Sequence, residues 1–259
     1  MSSELLSERH GATLVLTISD PATRNTLSTQ VIAAGIEALG ASESKDEVRA
    51  VVLRGAGAHF CAGGNLQGLL ERRAAGRPVQ HRMIEHVHDF ITAIRAYPKP
   101  VIAAVEGAAA GAGFSLALAC DLIVASAEAR FVVSHGKVGL SPDGGATWLL
   151  GRSLPRALAQ QLVWLAEPIT AEALKGHGVV AAVTPAGSAF DEALRLAERL
   201  ATMAPNALAS AKELLEQAGD SSFSAQLAAE RDHFLDNLFH VNGAEGIQAF
   251  LEKRAPRFS

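Results

Sequence analysis

Val101-Ile102-Ala103-Ala104-Val105-Glu106-Gly107-Ala108-Ala109-Ala110-Gly111-Ala112-Gly113-Phe114 passes from an unbroken apolar run into residues that carry almost no side chain. The first five, bounded by Pro98-Lys99-Pro100 and by Glu106-Gly107, predict a strand buried on both faces. From Gly113 to about Cys120 the chain predicts a helix, so the small residues between make a strand-to-helix turn. His59-Phe60-Cys61-Ala62-Gly63-Gly64-Asn65-Leu66 has the same character and follows the apolar run Ala50-Val51-Val52-Leu53. Backbone N–H groups at a helix start lack intrahelical acceptors and lie at the positive end of the helix dipole. Two such turns together predict an anion hole for a carbonyl oxygen that gains negative charge, and residues this small let a ligand approach the donors.

Outward from these turns the chain alternates. Thr13-Leu14-Val15-Leu16-Thr17-Ile18, closed by Asp20-Pro21, predicts a first strand. Residues 29–39 have helical spacing, 40–47 form a polar loop, and 50–53, 101–105, 122–125 and 131–133 read as further strands. Strands separated by helices imply right-handed crossovers and a mostly parallel α/β sheet. Beyond about residue 154 helical periodicity takes over, at 157–166, 188–203, 207–218, 223–238 and 244–253. The expected division is an α/β core over residues 1–190 and a helical region over residues 191–259. Arg72-Arg73-Ala74-Ala75-Gly76-Arg77-Pro78 reads as a mobile surface loop.

A chain of 259 residues buries roughly three quarters of its unfolded surface, enough for one sizeable core. With 49% hydrophobic residues, 19% charged residues and a net charge of -4, it has no field to attract nucleic acid. Two cysteines, Cys61 and Cys120, and an opening stretch without a basic-then-apolar pattern fit a reduced cytoplasm. The most apolar stretch, 101–126, is interrupted by Glu106 and Asp121, and the uncharged Gly- and Ala-rich part between them is shorter than the roughly 20 residues a bilayer needs, so it reads as a buried helix and not a membrane span.

Neither turn is a dinucleotide or phosphate loop, since Gly-x-Gly-x-x-Gly and Gly-Lys-Ser/Thr are absent. The chain instead resembles the crotonase, or enoyl-CoA hydratase/isomerase, superfamily over nearly its whole length. The likeness rests on Arg24-Asn25-Thr26-Leu27, on Phe60-Cys61-Ala62-Gly63-Gly64-Asn65-Leu66, on Glu106-Gly107 with Gly111-Ala112-Gly113, and on Ala119-Cys120-Asp121. Val138-Gly139-Leu140-Ser141-Pro142-Asp143-Gly144-Gly145 and Glu245-Gly246-Ile247-Gln248-Ala249-Phe250-Leu251-Glu252-Lys253-Arg254 complete it. Ser-Pro-Asp-Gly-Gly followed by Ala146-Thr147-Trp148-Leu149-Leu150 is similar to the 1,2-epoxyphenylacetyl-CoA isomerases in particular.

The resemblance implies a core of repeated ββα spiral turns, a helical C-terminal trimerisation region, and assembly as a homotrimer or dimer of trimers. It also implies an acyl-CoA thioester substrate with no further cofactor, and an oxyanion hole donated by the N–H groups of Gly64 and Ala112. Arg24, Asn25, Leu27, Ala62, Ser115, Leu140, Phe234 and Lys253 match substrate-binding positions, the last two serving a neighbouring subunit. Acyl-chain selectivity falls to the helix from Leu66 and the stretch 72–78. The two glutamates of family hydratases are replaced by Ser115 and His135. One carboxylate, Asp143, remains to carry a proton from one carbon of the thioester enolate to another, with His135 as a possible partner. Asp143 also suits a helix N-cap. His135 also suits a structural histidine, and Ser115 a packing residue. Cys61 reads as packing. His81, His86 and His88 lack the spacing of a metal pair. Three functions stay open: an isomerase working through Asp143, an enoyl-CoA hydratase, and a non-catalytic acyl-CoA binding subunit.

Overall fold

The computed structural model describes residues 3–259. The chain opens with an antiparallel hairpin of β1 (Glu4–His10) and β2 (Thr13–Ser19), so the 13–18 run is the second strand and not the first. Strand β1 is almost wholly exposed and sets only Leu5 against the core, so its residues lack the apolar alternation that marks a strand. Helix α1 (Thr29–Glu43) follows, N-capped by the Ser28 side chain, and runs into the stretch expected as loop. Then come β3 (Ala50–Gly55), α2 (Leu66–Ala75), α3 (Arg77–Ala96), β4 (Val101–Val105), β5 (Ala108–Ala110), α4 (Ala112–Ala119), β6 (Leu122–Ser126) and β7 (Arg130–Val132). Helices α5 (Ala146–Ser153) and α6 (Arg156–Leu165), β8 (Ile169–Thr170), α7 (Ala171–Gly176), β9 (Ala182–Thr184) and α8 (Ala189–Ala201) lead to α9 (Pro205–Ala218), α10 (Phe223–Phe239) and α11 (Val241–Glu252).

Six strands form one sheet in the order β1-β2-β3-β4-β6-β9, parallel from β2 onward, with Leu14 beside Val51, Val51 beside Val101 and Ile102 beside Leu122. A second sheet has the order β5-β7-β8. Each spiral turn places one strand in the large sheet and the next in the small one before a helix returns: β4, β5, α4 is one such turn, and β6, β7 begins the next. Cys61 joins the small sheet by a single bridge to Ala109, so the segment after β3 is a shortened version of the same turn.

The strands are apolar throughout because both faces are covered. Leu14, Leu16, Val51, Leu53, Ala103 and Ile123 face α1, α3 and α4 in the main core. Val15, Val52, Ile102 and Val124 face α8. Ala189, Ala193 and Ala197, one helical turn apart and fully buried, let α8 lie close on the sheet. Glu106 fastens it there by accepting the Ala189 N–H at 3.0 Å, a free donor at the helix start. Asp121 accepts the Val101 N–H at 2.7 Å and the Lys212 ammonium at 2.9 Å, tying α9 to the edge of β4.

The expected loop at 72–78 is not a loop. Helix α2 continues to Ala75 and α3 starts at Arg77, leaving Gly76 as the joint, with Pro78 in the first turn where no intrahelical donor is lost. Among the described residues no helix is long and apolar enough to cross a membrane.

Candidate active site

The two small-residue turns meet. Cys61 N–H donates to the Ala108 carbonyl at 3.1 Å and Ala110 N–H to the Cys61 carbonyl at 2.9 Å, which lays one turn along the other. A Cβ on Gly113 would stand 2.1 Å from the Cys61 carbonyl oxygen, so only glycine permits the approach. The position a Cβ would take on Gly63 is 2.9 Å from the Ala112 nitrogen. Gly64, the next residue, and Ala112 therefore come together, and both line a cleft of about 700 Å3. Ala112 is the first residue of α4, where geometry leaves its N–H without an intrahelical acceptor. The Gly64 N–H donates to no protein acceptor among the described residues.

Across the cleft stand His135 and Asp143. His135 lies in the 3-10 turn Ser134–Val138, and its Nε2 is 3.1 Å from Asp143 Oδ1. Both are largely withdrawn from solvent, with side chains 11% and 26% exposed. With the proton on Nε2, the imidazole donates to Oδ1 and leaves Oδ2 without a protein donor. His135 Nδ1 is then a buried acceptor with no protein partner. A Cβ on Gly111 would fall 3.8 Å from His135 Nε2, so the pair sits directly over the turn that carries Ala112.

Asp143 is not an N-cap. The residue before α5 is Gly145, and no side chain caps that helix. Ser115 does not line the cleft. It is fully buried, and its hydroxyl donates to the Asp143 carbonyl at 2.9 Å, fixing the backbone from which the carboxylate projects. Cys61 is buried, accepts a weak bond from the Gly63 N–H at 3.4 Å, and burial pushes its thiol up to about 12, so it carries no thiolate for chemistry.

The remaining residues singled out in the sequence divide. Leu27, Ala62 and Leu140 line the cleft. Arg24 is exposed, and its carbonyl accepts the Ala62 N–H at 3.0 Å, placing it beside the first turn. Asn25 faces inward: its Oδ1 accepts the Asp20 N–H at 3.0 Å, and its Nδ2 donates to the Ala56 and His59 carbonyls at 2.9 and 2.7 Å. It is fully buried with φ 59, a conformation asparagine tolerates, so it holds the loops under the first turn and has no group left for a ligand. Asn25→Ala leaves three partly buried backbone groups without their partner and is expected to lower the unfolding free energy by about 2–4 kcal/mol. A urea titration followed by tryptophan fluorescence measures it. Phe234, 66% exposed on α10, and Lys253, which ends α11, are not brought to the cleft of their own chain.

Sequence reasoning missed the wall of the cleft that α3 supplies. Gln80, Met83, Ile84, Val87 and His88 on α3 line the cleft opposite Leu69 and Arg72 on α2. Their three- and four-residue spacing is a legible helical face, hidden by reading the joint before α3 as a loop. Among the described residues no group of three His, Cys, Asp or Glu side chains is placed to hold a metal.

A family model described as enoyl-CoA hydratase/isomerase matches residues 8–259. The chain belongs to the enoyl-CoA hydratase/isomerase family. It is 36% identical over 256 residues to 2,3-dehydroadipyl-CoA hydratase of Escherichia coli K12, covering 99% of this chain and 98% of that one. It is 34% identical over 260 residues to 1,2-epoxyphenylacetyl-CoA isomerase of the same strain, covering 100% and 99%. A crystal structure of an enoyl-CoA hydratase from Polaromonas sp. JS666 shares 57% of its sequence and superposes with a TM-score of 0.98 over 99% of this chain and 100% of that one. The mixed α/β core with its helical C-terminal part is thus the crotonase fold, and this is an enzyme family that acts on acyl-CoA thioesters.

Proposed function

We propose that the chain is an enoyl-CoA isomerase that moves a proton through Asp143, using no cofactor beyond the coenzyme A of its substrate. The observation that supports this reading is the composition of the cleft: two free main-chain amides, at Gly64 and Ala112, beside one carboxylate, Asp143. The amides hold the thioester oxygen as it takes up negative charge. Asp143 Oδ2 removes the α-proton, and the electron pair left behind is delocalised into the thioester as an enolate. The protonated carboxyl then returns its proton to the γ-carbon, the double bond shifts by one position, and Asp143 is regenerated. His135 keeps Oδ1 in place through both transfers. A hydratase has two proton-handling groups to fill, one to activate water and one for the α-carbon, and a second carboxylate does not line this cleft.

Hydration is nonetheless a second reading with its own support, since the 57% identical structure is that of an enoyl-CoA hydratase. In it, His135 would hold the water and Asp143 would protonate the α-carbon. Incubation with trans-2- and trans-3-enoyl-CoA thioesters in D2O, with products identified by mass and NMR, separates the two. The isomerase interconverts them and gives no 3-hydroxyacyl product; net water addition at a comparable rate overturns it.

Arg24, Phe234 and Lys253 belong in this proposal to coenzyme A binding, with Phe234 and Lys253 serving the cleft of a neighbouring copy in a homotrimer or dimer of trimers. The exposed Phe234, Phe239 and Phe250 of α10 and α11 support such an assembly, being too apolar to face water in a free subunit. Residues 1–190 then form the catalytic core and 191–259 the oligomerisation region, in a cytoplasmic protein with no nucleic-acid or membrane partner.

A further inference from the structure

On the inner face of α3, Val87 and Gln80 are seven residues apart, about 10 Å along the helix. Val87 marks the reacting end, for its Cγ1 is 3.8 Å from where a Cβ on Gly144 would stand, next to Asp143. Met83 and Ile84 line the middle of the cleft, and Gln80 lines the far end together with Arg72 of α2. An apolar passage thus ends in a guanidinium.

Arg72 is half-buried, and its Nε donates to Gln80 Oε1 at 2.8 Å. Its Nη1 folds back over Gly68, lying 2.9 Å from where a Cβ would stand, so a residue without a side chain makes room for it. Among the described residues no carboxylate pairs with Arg72, and its one side-chain partner is the neutral Gln80. An adjoining groove of about 620 Å3 shares Gln80 and Leu140 with the cleft and adds Arg73 and Arg77. The one carboxylate lining the cleft, Asp143, is at the opposite end. A partly desolvated guanidinium, held in orientation by a glutamine and lacking a counterion, is built to receive a planar anion in two parallel hydrogen bonds.

We infer that Arg72 binds a carboxylate at the far end of the acyl group, so that the preferred substrates are thioesters of dicarboxylic acids. This rests on the acyl-CoA reading of the cleft. An extended chain advances about 3.5 Å per three bonds, and the guanidinium–carboxylate contact spans about 3 Å of the 10 Å, so acyl groups of about six to eight carbons fit.

The test needs no turnover and is independent of the choice between isomerase and hydratase. Dissociation constants are measured by calorimetry for adipoyl-CoA against hexanoyl-CoA, for suberoyl-CoA against octanoyl-CoA, and for free coenzyme A. The wild-type chain is expected to bind at least one carboxylate-ended thioester about 10- to 100-fold more tightly than its methyl-ended counterpart. Arg72→Met brings that ratio to near one, and Arg72→Lys retains part of it; a ratio within one preparation does not depend on how much of a variant folds. A wild-type ratio at or below one overturns the inference, as does a ratio unchanged by Arg72→Met. An equal loss of free coenzyme A affinity in Arg72→Met also overturns it, since the guanidinium then serves the nucleotide. If no thioester binds at all, the acyl-CoA reading itself fails, and the carboxylate site with it.

Discussion

Asp143→Asn is expected to lower kcat by about 10²- to 10⁴-fold, with acyl-CoA affinity changed by less than about threefold. The substitution keeps the size of the side chain and an oxygen that still accepts from His135 Nε2, at present 3.1 Å away, so the pair and its orientation survive. What disappears is the capacity of the second oxygen to take a proton. The cleft offers no other carboxylate, and the buried Cys61 thiol is held too high to substitute. The side chain is 26% exposed, and its one bond, to His135 in the 134–138 turn, survives the substitution, so the melting temperature is expected to stay within a few degrees of the wild type, separating lost chemistry from lost fold. Exchange of the α-proton of a saturated thioester with D2O, followed by NMR, reads the first transfer alone and is expected to fall by the same factor as turnover. An undiminished exchange rate in Asp143→Asn removes Asp143 as the proton carrier, whatever the product of the full reaction.

The parts of the fold that the sequence displayed are those whose local pattern and tertiary role agree. The apolar run 101–105 forms β4 without adjustment, because a strand buried on both faces has no choice but to be apolar throughout. The parts it hid are those where tertiary contact overrides local preference. Ala108–Ala110 has little β propensity and forms β5 only because Arg130–Val132 pairs with it on one side and Cys61 bridges it on the other. The same holds for the site. Main-chain donors were legible because small residues at a strand-to-helix turn leave a trace in composition. The bond from Ser115 to the Asp143 carbonyl was not, since it joins residues 28 apart whose approach depends on how α4 and the loop before α5 pack. Asn25 shows the limit of reasoning by motif: its place beside the first turn marks it as a ligand contact, while its three internal hydrogen bonds make it a brace for that turn.

Ala112→Pro is expected to reduce kcat/KM by about 10²- to 10³-fold while leaving the fold intact, the effect of removing one oxyanion donor. A main-chain N–H is ordinarily beyond the reach of side-chain substitution, but this one occupies the position in a helix where proline is at home. As the first residue of α4, Ala112 has no intrahelical bond for proline to break, and the fixed φ of the ring matches a helix start. The usual obstacle is the preceding residue, which proline bars from the helical region. Here that residue is Gly111, at φ 54 and ψ -128, an extended mirror-image conformation with no Cβ to meet the ring. The ring carbon replacing the hydrogen points where the hydrogen pointed, into the cleft at the thioester oxygen. The variant therefore both deletes the donor and crowds its acceptor, so Ala112→Val, which keeps the N–H and adds bulk beside it, is the necessary companion. If the amide matters as a donor, the proline variant loses far more than the valine variant, at matched melting temperatures. Equal losses in the two would mean that this turn shapes the cleft without holding charge, and the enolate would then need another source of stabilisation.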